Sequence, residues 1–264
     1  MNAPSAETVY RSPVYYDVAY SWDPADEVAL YLGCFRTYGA WPRPRSLYEP
    51  GSGTGRLAVA FARQGIRVTG LDRSEEMNRY ATGRAESEGV SALVRFEAGR
   101  MEFVPTGEAA EGAFCALSTI RYLTEEDGII SHLRTLGARL RPGAVYALDT
   151  RFGEDTPRTP TREFWELERG GICTLTRWQM EVAGPSPAVG TETLSIEVEE
   201  HGKKFTLTER NPTRLDSRES FERLVAASGL FEIAAYLGPE RDPAKPRLPE
   251  QVQGRAVAVL RRTK

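Results

Sequence analysis

The 264-residue chain is 41% apolar, enough for one large domain or one domain with a sizeable insertion. Its 34 basic and 37 acidic side chains leave a formal charge of −3, without the basic excess that marks a nucleic-acid footprint. No apolar run approaches the ~20 residues of a membrane span. The opening MNAPSAETVYRS lacks a signal peptide's basic start and apolar core. Cys34, Cys115 and Cys173 are odd in number and far apart, so neither a disulfide framework nor a zinc pattern is expected, and a reducing cytosol fits.

The first dozen residues are polar and read as frayed. VYYDVAYSWD, from Val14 to Asp23, is dense in aromatics. A helix is expected over Pro24–Phe35, with Asp23 and Pro24 as its start. Ser46–Glu49 reads as a strand, followed by a glycine turn with Gly51, Gly53 and Gly55. Arg56 to about Gln64 has helical spacing through Leu57, Ala58, Phe61 and Ala62. Ile66–Leu71 is a second strand, ending at Asp72. Glycines at such a turn let backbone N–H groups approach a ligand closely, and the helix start offers free amides and a positive dipole end. An acid at the end of the next strand, roughly 20 residues on, suits ribose hydroxyls. The G-x-G-x-G spacing puts Arg56 where a dinucleotide fingerprint needs its third glycine, which disfavours a nicotinamide dehydrogenase. A Walker lysine is also missing. Glu49 before the turn would repel a pyrophosphate and suits a ligand with an amino group.

EPGSGTG followed by GLDRSEEM resembles motif I and the second-strand acid of the class I S-adenosylmethionine (SAM) methyltransferases. The D-x-S-x-x-M form, through Asp72, Ser74 and Met77, is similar to that of their small-molecule members. The resemblance implies an α/β fold: a Rossmann-like, seven-stranded, mostly parallel sheet with helices on both faces. It implies SAM as cofactor, with Glu49, Gly51, Ser52, Gly53, Gly55, Asp72, Arg73 and Met77 around it. In this family an aromatic segment ahead of motif I often lies over the methionine part. Tyr16, Tyr20 and Trp22 are therefore expected in a lid formed by residues 1–40, the alternative being simple packing of an N-terminal helix.

A helix is expected from Ser74, as N-cap, to Gly89, and a third strand over Leu93–Gly99. The resemblance then calls for Gly-Asp, where this chain has Gly99-Arg100. Arg100 would stack on adenine or point to solvent, and Met101 would pack on the purine. Gly112–Leu123 reads as a fourth strand and its exit loop, with Leu117 and Ser118 as cofactor contacts and Arg121 near the acceptor. Glu125–Leu140 is helical, with a core stripe of Ile129, Ile130, Leu133, Leu136 and Leu140. Arg141-Pro142-Gly143 reads as a turn into a fifth strand ending at Asp149, with Arg151 just beyond; this closes the core segment 41–155. Pro157 and Pro160 then break the chain. Residues 156–213 alternate with period two between Gly/Pro turns and read as a small antiparallel insertion. The resemblance puts it over the acceptor pocket, with Trp165, Arg177 and Trp178 as residues of interest. A dimerisation or plain structural sheet is the alternative, so a homodimer stays open. Residues 214–264 return to the core as a helix (Asp216–Gly229), a sixth strand and a last V-A-V-L strand. His132 and His201 read as surface residues.

The implied reaction is in-line transfer of a methyl group to N, O or C of a small molecule. Positioning is its main demand, and an amine acceptor must be neutral to attack. Tyr16, Tyr20, Asp17 and Asp149 are candidates to take the proton; no metal is called for. The competing reading is a non-catalytic SAM-binding module used for sensing or assembly.

Overall fold

The computed structural model describes residues 8–153, 161–182, 189–252 and 254–263. Pro157, Pro160 and the AGPSPAVG turn, apart from Val189 and Gly190, lie outside them. Strands β1 (Ser46–Pro50), β2 (Arg67–Asp72), β3 (Val94–Ala98), β4 (Ala110–Cys115), β5 (Leu140–Phe152), β10 (Phe231–Leu237) and β11 (Gly254–Arg262) form a seven-stranded sheet. Its order is β10-β11-β5-β4-β1-β2-β3. β11 pairs antiparallel with both β5 and β10, and the other neighbours are parallel. The remaining strands, β6 (Thr161–Arg169), β7 (Ile172–Glu181), β8 (Val189–Glu200) and β9 (Lys203–Arg214), form a separate antiparallel sheet in meander order.

Central strands are buried on both faces, so they read as continuous apolar runs. Along β5, Val145 and Ala147 face one core and Tyr146 and Leu148 the other. The first core is closed by α2 (Ala25–Tyr38) and α3 (Arg56–Ala62), through Tyr31, Phe35 and Phe61. The second is closed by α5 (Glu126–Ala138) and α6 (Arg218–Ser228), through Leu133, Leu136, Phe221 and Leu224. α4 (Glu75–Ser87) starts as expected, with the Ser74 hydroxyl accepting from the Met77 amide at 3.2 Å. A third, smaller core joins the N-terminal segment to the second sheet: Val9, Ala19 and Tyr20 pack on Leu194, Ile196, Val198 and Leu207.

Four expectations change. Residues 9–11 are not frayed; they form a 3-10 turn with Val9 fully buried in that third core. The aromatic segment contains a helix, α1 (Pro13–Ala19). Arg141-Pro142-Gly143 is no separate turn; β5 runs through it as a bulge with Gly143 at φ +76°, Ala110 pairing Leu140 and Gly112 pairing Val145. His132 is fully buried, with Nδ1 on the Met101 carbonyl (2.8 Å) and Nε2 on the Tyr146 hydroxyl (3.1 Å). Burial pulls its pKa down to about 4. A helix stripe that buries Ile129, Leu133 and Leu136 brings in position 132 as well.

Gly55 begins α3 at φ +71°, and a Cβ there would lie 2.7 Å from Phe96 and 2.9 Å from Ala81. Gly55→Ala combines a left-handed backbone with overpacking, so it should cost about 2–4 kcal/mol. Chemical denaturation should report that loss as a lower midpoint; an unchanged midpoint would show that α3 and β3 can separate at no cost.

Candidate active site

The turn after β1 is held against the end of β2. The Leu71 carbonyl accepts from Gly51 (2.7 Å) and Ser52 (3.1 Å), and Asp72 Oδ2 accepts from Gly53 (2.9 Å). Asp72 Oδ1 accepts from Ser74 (2.9 Å). Burial raises the Asp72 carboxyl above its ordinary value, against the pull of these amides. Gly51 sits at φ +70° beneath Thr119: a Cβ there would lie 2.5 Å from Thr119 Cγ2 and 3.5 Å from Met101 Sδ. Gly53 differs, because its Cβ would enter open space bounded only by Tyr16 at 4.0 Å.

That space is one end of a cavity of about 310 Å³. Gly51, Gly53, Asp72, Arg73, Met77, Arg100 and Met101 line this end. Arg100 is mostly exposed and ion-paired with Glu102, so its guanidinium edges the cavity and faces solvent. Leu117 and Ser118, both at φ near +55°, carry the chain out of β4 along the cavity. Two adjacent non-glycine residues in that region store strain, of order 1–3 kcal/mol each. They bring Thr119 down onto the glycine turn.

The far end lies under the second sheet. Tyr16 stacks on Tyr20 with centroids 4.5 Å apart; Tyr20, Trp22 and Trp165 meet edge-on at 5.2–6.1 Å. Trp165 Nε1 donates to the Ala19 carbonyl at 2.6 Å. Trp178, Glu163 and Glu192 enter from β6–β8, and Arg121, Tyr122, Arg151 and Arg255 from the main sheet's loops and strands. The Tyr10 and Tyr122 hydroxyls lie 2.9 Å apart, and Tyr122 donates to Glu192. Burial holds the Tyr16 and Tyr20 phenols well above 10, so both stay neutral and form an aromatic wall, not a base.

Five of the expected cofactor-binding and proton-accepting residues fall outside the lining. Ser52 and Gly55 pack inward, against Gly70 and Phe96 respectively. Glu49 lies behind the turn and is buried; its carboxyl is raised well above the usual range by burial, and its Oε2 has no hydrogen-bond partner. Asp149 is buried against Arg255 (2.8 Å), which removes it as a proton acceptor at the cavity. Asp17, also read as a candidate base, is instead a structural clamp. It accepts from Thr54 (3.1 Å) and Tyr80 (2.9 Å) and pairs with Arg84 (2.5 Å) and Arg169, tying α1 to the glycine turn, α4 and β6. Burial pushes its carboxyl up, but Arg84 and Arg169 outweigh that and hold it below the ordinary 3.8. The sequence reading missed Tyr10, Glu163, Glu192 and Arg255. The alternation that turns Leu194, Ile196 and Val198 inward also turns Glu192 inward, and Glu163 precedes Trp165 by two. Nothing in the sequence marks Tyr10.

Residues 48–143 match the family model of a methyltransferase domain. No curated protein matches the chain by sequence. Among solved structures the fold is similar to that of an S-adenosylmethionine-dependent methyltransferase from Clostridium acetobutylicum (TM-score 0.74, 13% identity, covering 95% of this chain and 97% of that one). It is also similar to SAM-bound CalS10, an amino pentose methyltransferase from Micromonospora echinaspora involved in calicheamicin biosynthesis (0.71, 20%, 100% of each chain). A third is the sugar N-methyltransferase KedS8 from Streptoalloteichus (0.71, 17%, 100% of this chain and 96% of that one).

Replacing Asp72 by Ala removes charged hydrogen bonds worth about 1.5–3 kcal/mol, so affinity for S-adenosylhomocysteine should fall roughly 10- to 100-fold. Calorimetry tests this; unchanged affinity would remove Asp72 from the ribose. For Asp17, a folded-state pKa below the unfolded value means stabilisation present above about pH 3.8 and lost as pH falls through the folded value. Asp17→Asn should therefore cost about 2 kcal/mol near neutrality. Its deficit against wild type should shrink below about pH 3.8 in acid-denaturation series.

Proposed function

We propose that the chain, whose residues 48–143 match a methyltransferase domain, is a class I, S-adenosylmethionine-dependent enzyme that methylates an amine nitrogen on a small, polar, sugar-like acceptor. The observation that carries this reading is one cavity joining the glycine turn to an aromatic wall and the Glu192 carboxylate. The names of CalS10 and KedS8, an amino pentose and a sugar N-methyltransferase, point the same way.

The residues fit the cofactor. A cradle that a Cβ on Gly53 would fill lies beside Asp72, the ribose acceptor. Glu49 Oε2 is buried without a partner behind the turn, where it can serve an amino group through the turn's backbone. When bound, S-adenosylmethionine supplies an activated sulfonium methyl. Gly51 and Gly53 would let main-chain amides lie against the cofactor, Met77 and Met101 would pack on its purine, and Leu117 and Ser118 would border its methionine end. Tyr16, Tyr20 and Trp22 exclude water and offer π faces to a cationic nitrogen. Glu192, already holding the Tyr122 hydroxyl, draws in the ammonium and takes the proton that nitrogen must lose.

Glu192→Gln should lower kcat/KM on amino sugars by about 100-fold while leaving S-adenosylhomocysteine affinity intact. Methyl transfer to the amino sugar and to its deaminated hydroxyl analogue is the direct test. Equal transfer to both, or a Glu192→Gln enzyme as fast as wild type, would sink the amine assignment.

A further inference from the structure

Arg121 stands apart from its neighbours. It lies in the 3-10 turn Thr119–Tyr122, lines the acceptor end of the cavity and is 5% exposed. Its Nε donates to the Arg214 carbonyl at 3.0 Å, but Nη2 has no hydrogen-bond partner. Every other arginine around it has a carboxylate: Arg151 has Glu163 (2.9 Å), Arg255 has Asp149 (2.8 Å) and Arg214 has Asp216 (2.8 Å) and Glu126 (3.2 Å). Among the described residues no carboxylate pairs with Arg121. Its strongest opposing field comes from Glu192, which accepts from Tyr122 instead.

A guanidinium taken out of water without a counter-ion is costly, and folds normally avoid the arrangement. Burial does pull the Arg121 pKa down, to about 10, yet that leaves it charged near neutrality. An unpaired charge kept at a cavity wall is a binding group in waiting, and a planar guanidinium best matches an oxyanion. We propose that the acceptor carries an oxyanion, a carboxylate or a phosphate, that pairs with the guanidinium of Arg121. The inference rests on reading the cavity's far end as the acceptor subsite. With Glu192 taking the ammonium, acceptor and site are both bipolar. An acceptor turned end for end would set its anion against Glu192, which fixes the orientation of the nitrogen. A neutral acceptor would leave Arg121 unpaired, which selects against it.

Two measurements test this. In the first, wild-type enzyme is given amines alike except for one group: glucosamine, its 6-phosphate and its 6-carboxylate analogue. At least one charged member should show an about tenfold lower KM than glucosamine, and the lower of the two identifies the oxyanion. In Arg121→Gln that advantage should vanish, and Arg121→Lys should restore part of it. Equal KM values across the three in wild type would overturn the proposal. The second needs no turnover. With S-adenosylhomocysteine bound, inorganic phosphate or acetate should raise the wild-type Tm over chloride at equal ionic strength, and neither should do so in Arg121→Gln. The same rise in that variant, or none in wild type with either ion, would refute the oxyanion site. An Arg121-dependent rise with no transfer to any amine would overturn the amine reading and leave the site standing.

Discussion

The Leu71 carbonyl accepts from Gly51 and Ser52 together, and the carboxylate of the next residue accepts from Gly53. These bonds fold the exit of β1 across the end of β2, and the rest of the site is built on that crossing. It explains why Gly70 has no side chain: a Cβ there would lie 2.7 Å from Ser52 Oγ. It explains the strain at Leu117 and Ser118, because only a sharp left-handed exit from β4 puts Thr119 over Gly51. The energy stored in those two residues is stabilised by burial of Ile120 and Leu123 just beyond them. A strained exit at a strand's C-terminal end is where an open α/β sheet places its ligands.

The N-terminal segment and the second sheet pack as one physical unit. Val9, Ala19 and Tyr20 share a core with Leu194, Ile196 and Val198, and Trp165 reaches across to the Ala19 carbonyl. Asp17 then ties that unit to α4 and the glycine turn through Arg84 and two hydroxyls, and Arg169 of β6 joins the same cluster. Separating the N-terminal segment from α4 and the glycine turn would break the Asp17 cluster, and separating it from the second sheet would break the aromatic contacts as well. The ion cluster is the looser of the two, because Arg169 keeps 42% of its side chain in solvent.

The glycine turn and its strand-end acid were legible in the sequence because their logic is local, although Glu49, Ser52 and Gly55 of the same unit pack away from the cavity. Glycines, a strand-end acid and a capping serine lie within one strand–helix–strand unit, and each is demanded by backbone geometry near itself. The four strands of the insertion could be read from period-two alternation, and the main strands from apolar runs together with the family resemblance. Most of what failed depends on partners distant in sequence. Asp149 lies two residues before Arg151, which reaches the cavity, but Arg255 in the neighbouring strand pairs with it. Asp17 sits among aromatics that do line the cavity, and its partners are 37 to 152 residues away. His132 is polar on a helix whose apolar stripe takes it inside. Tyr10 gains its place only through contacts with Tyr122 and Tyr16.

The acceptor end divides its charges by origin. The main sheet contributes Arg121, Arg151 and Arg255, and the second sheet contributes Glu163 and Glu192. Two of these guanidiniums are paired with carboxylates and one carboxylate is bound by a phenol, which leaves Arg121, of the three, without a carboxylate among the described residues. Because the two groups come from separate sheets, either can change without disturbing the β1–β2 crossing. On the proposed reading, that separation keeps the acceptor subsite independent of the cofactor seat. Here it ties selectivity to a small number of polar side chains in a partly dry cavity, where each unpaired charge has far more influence than it would in water.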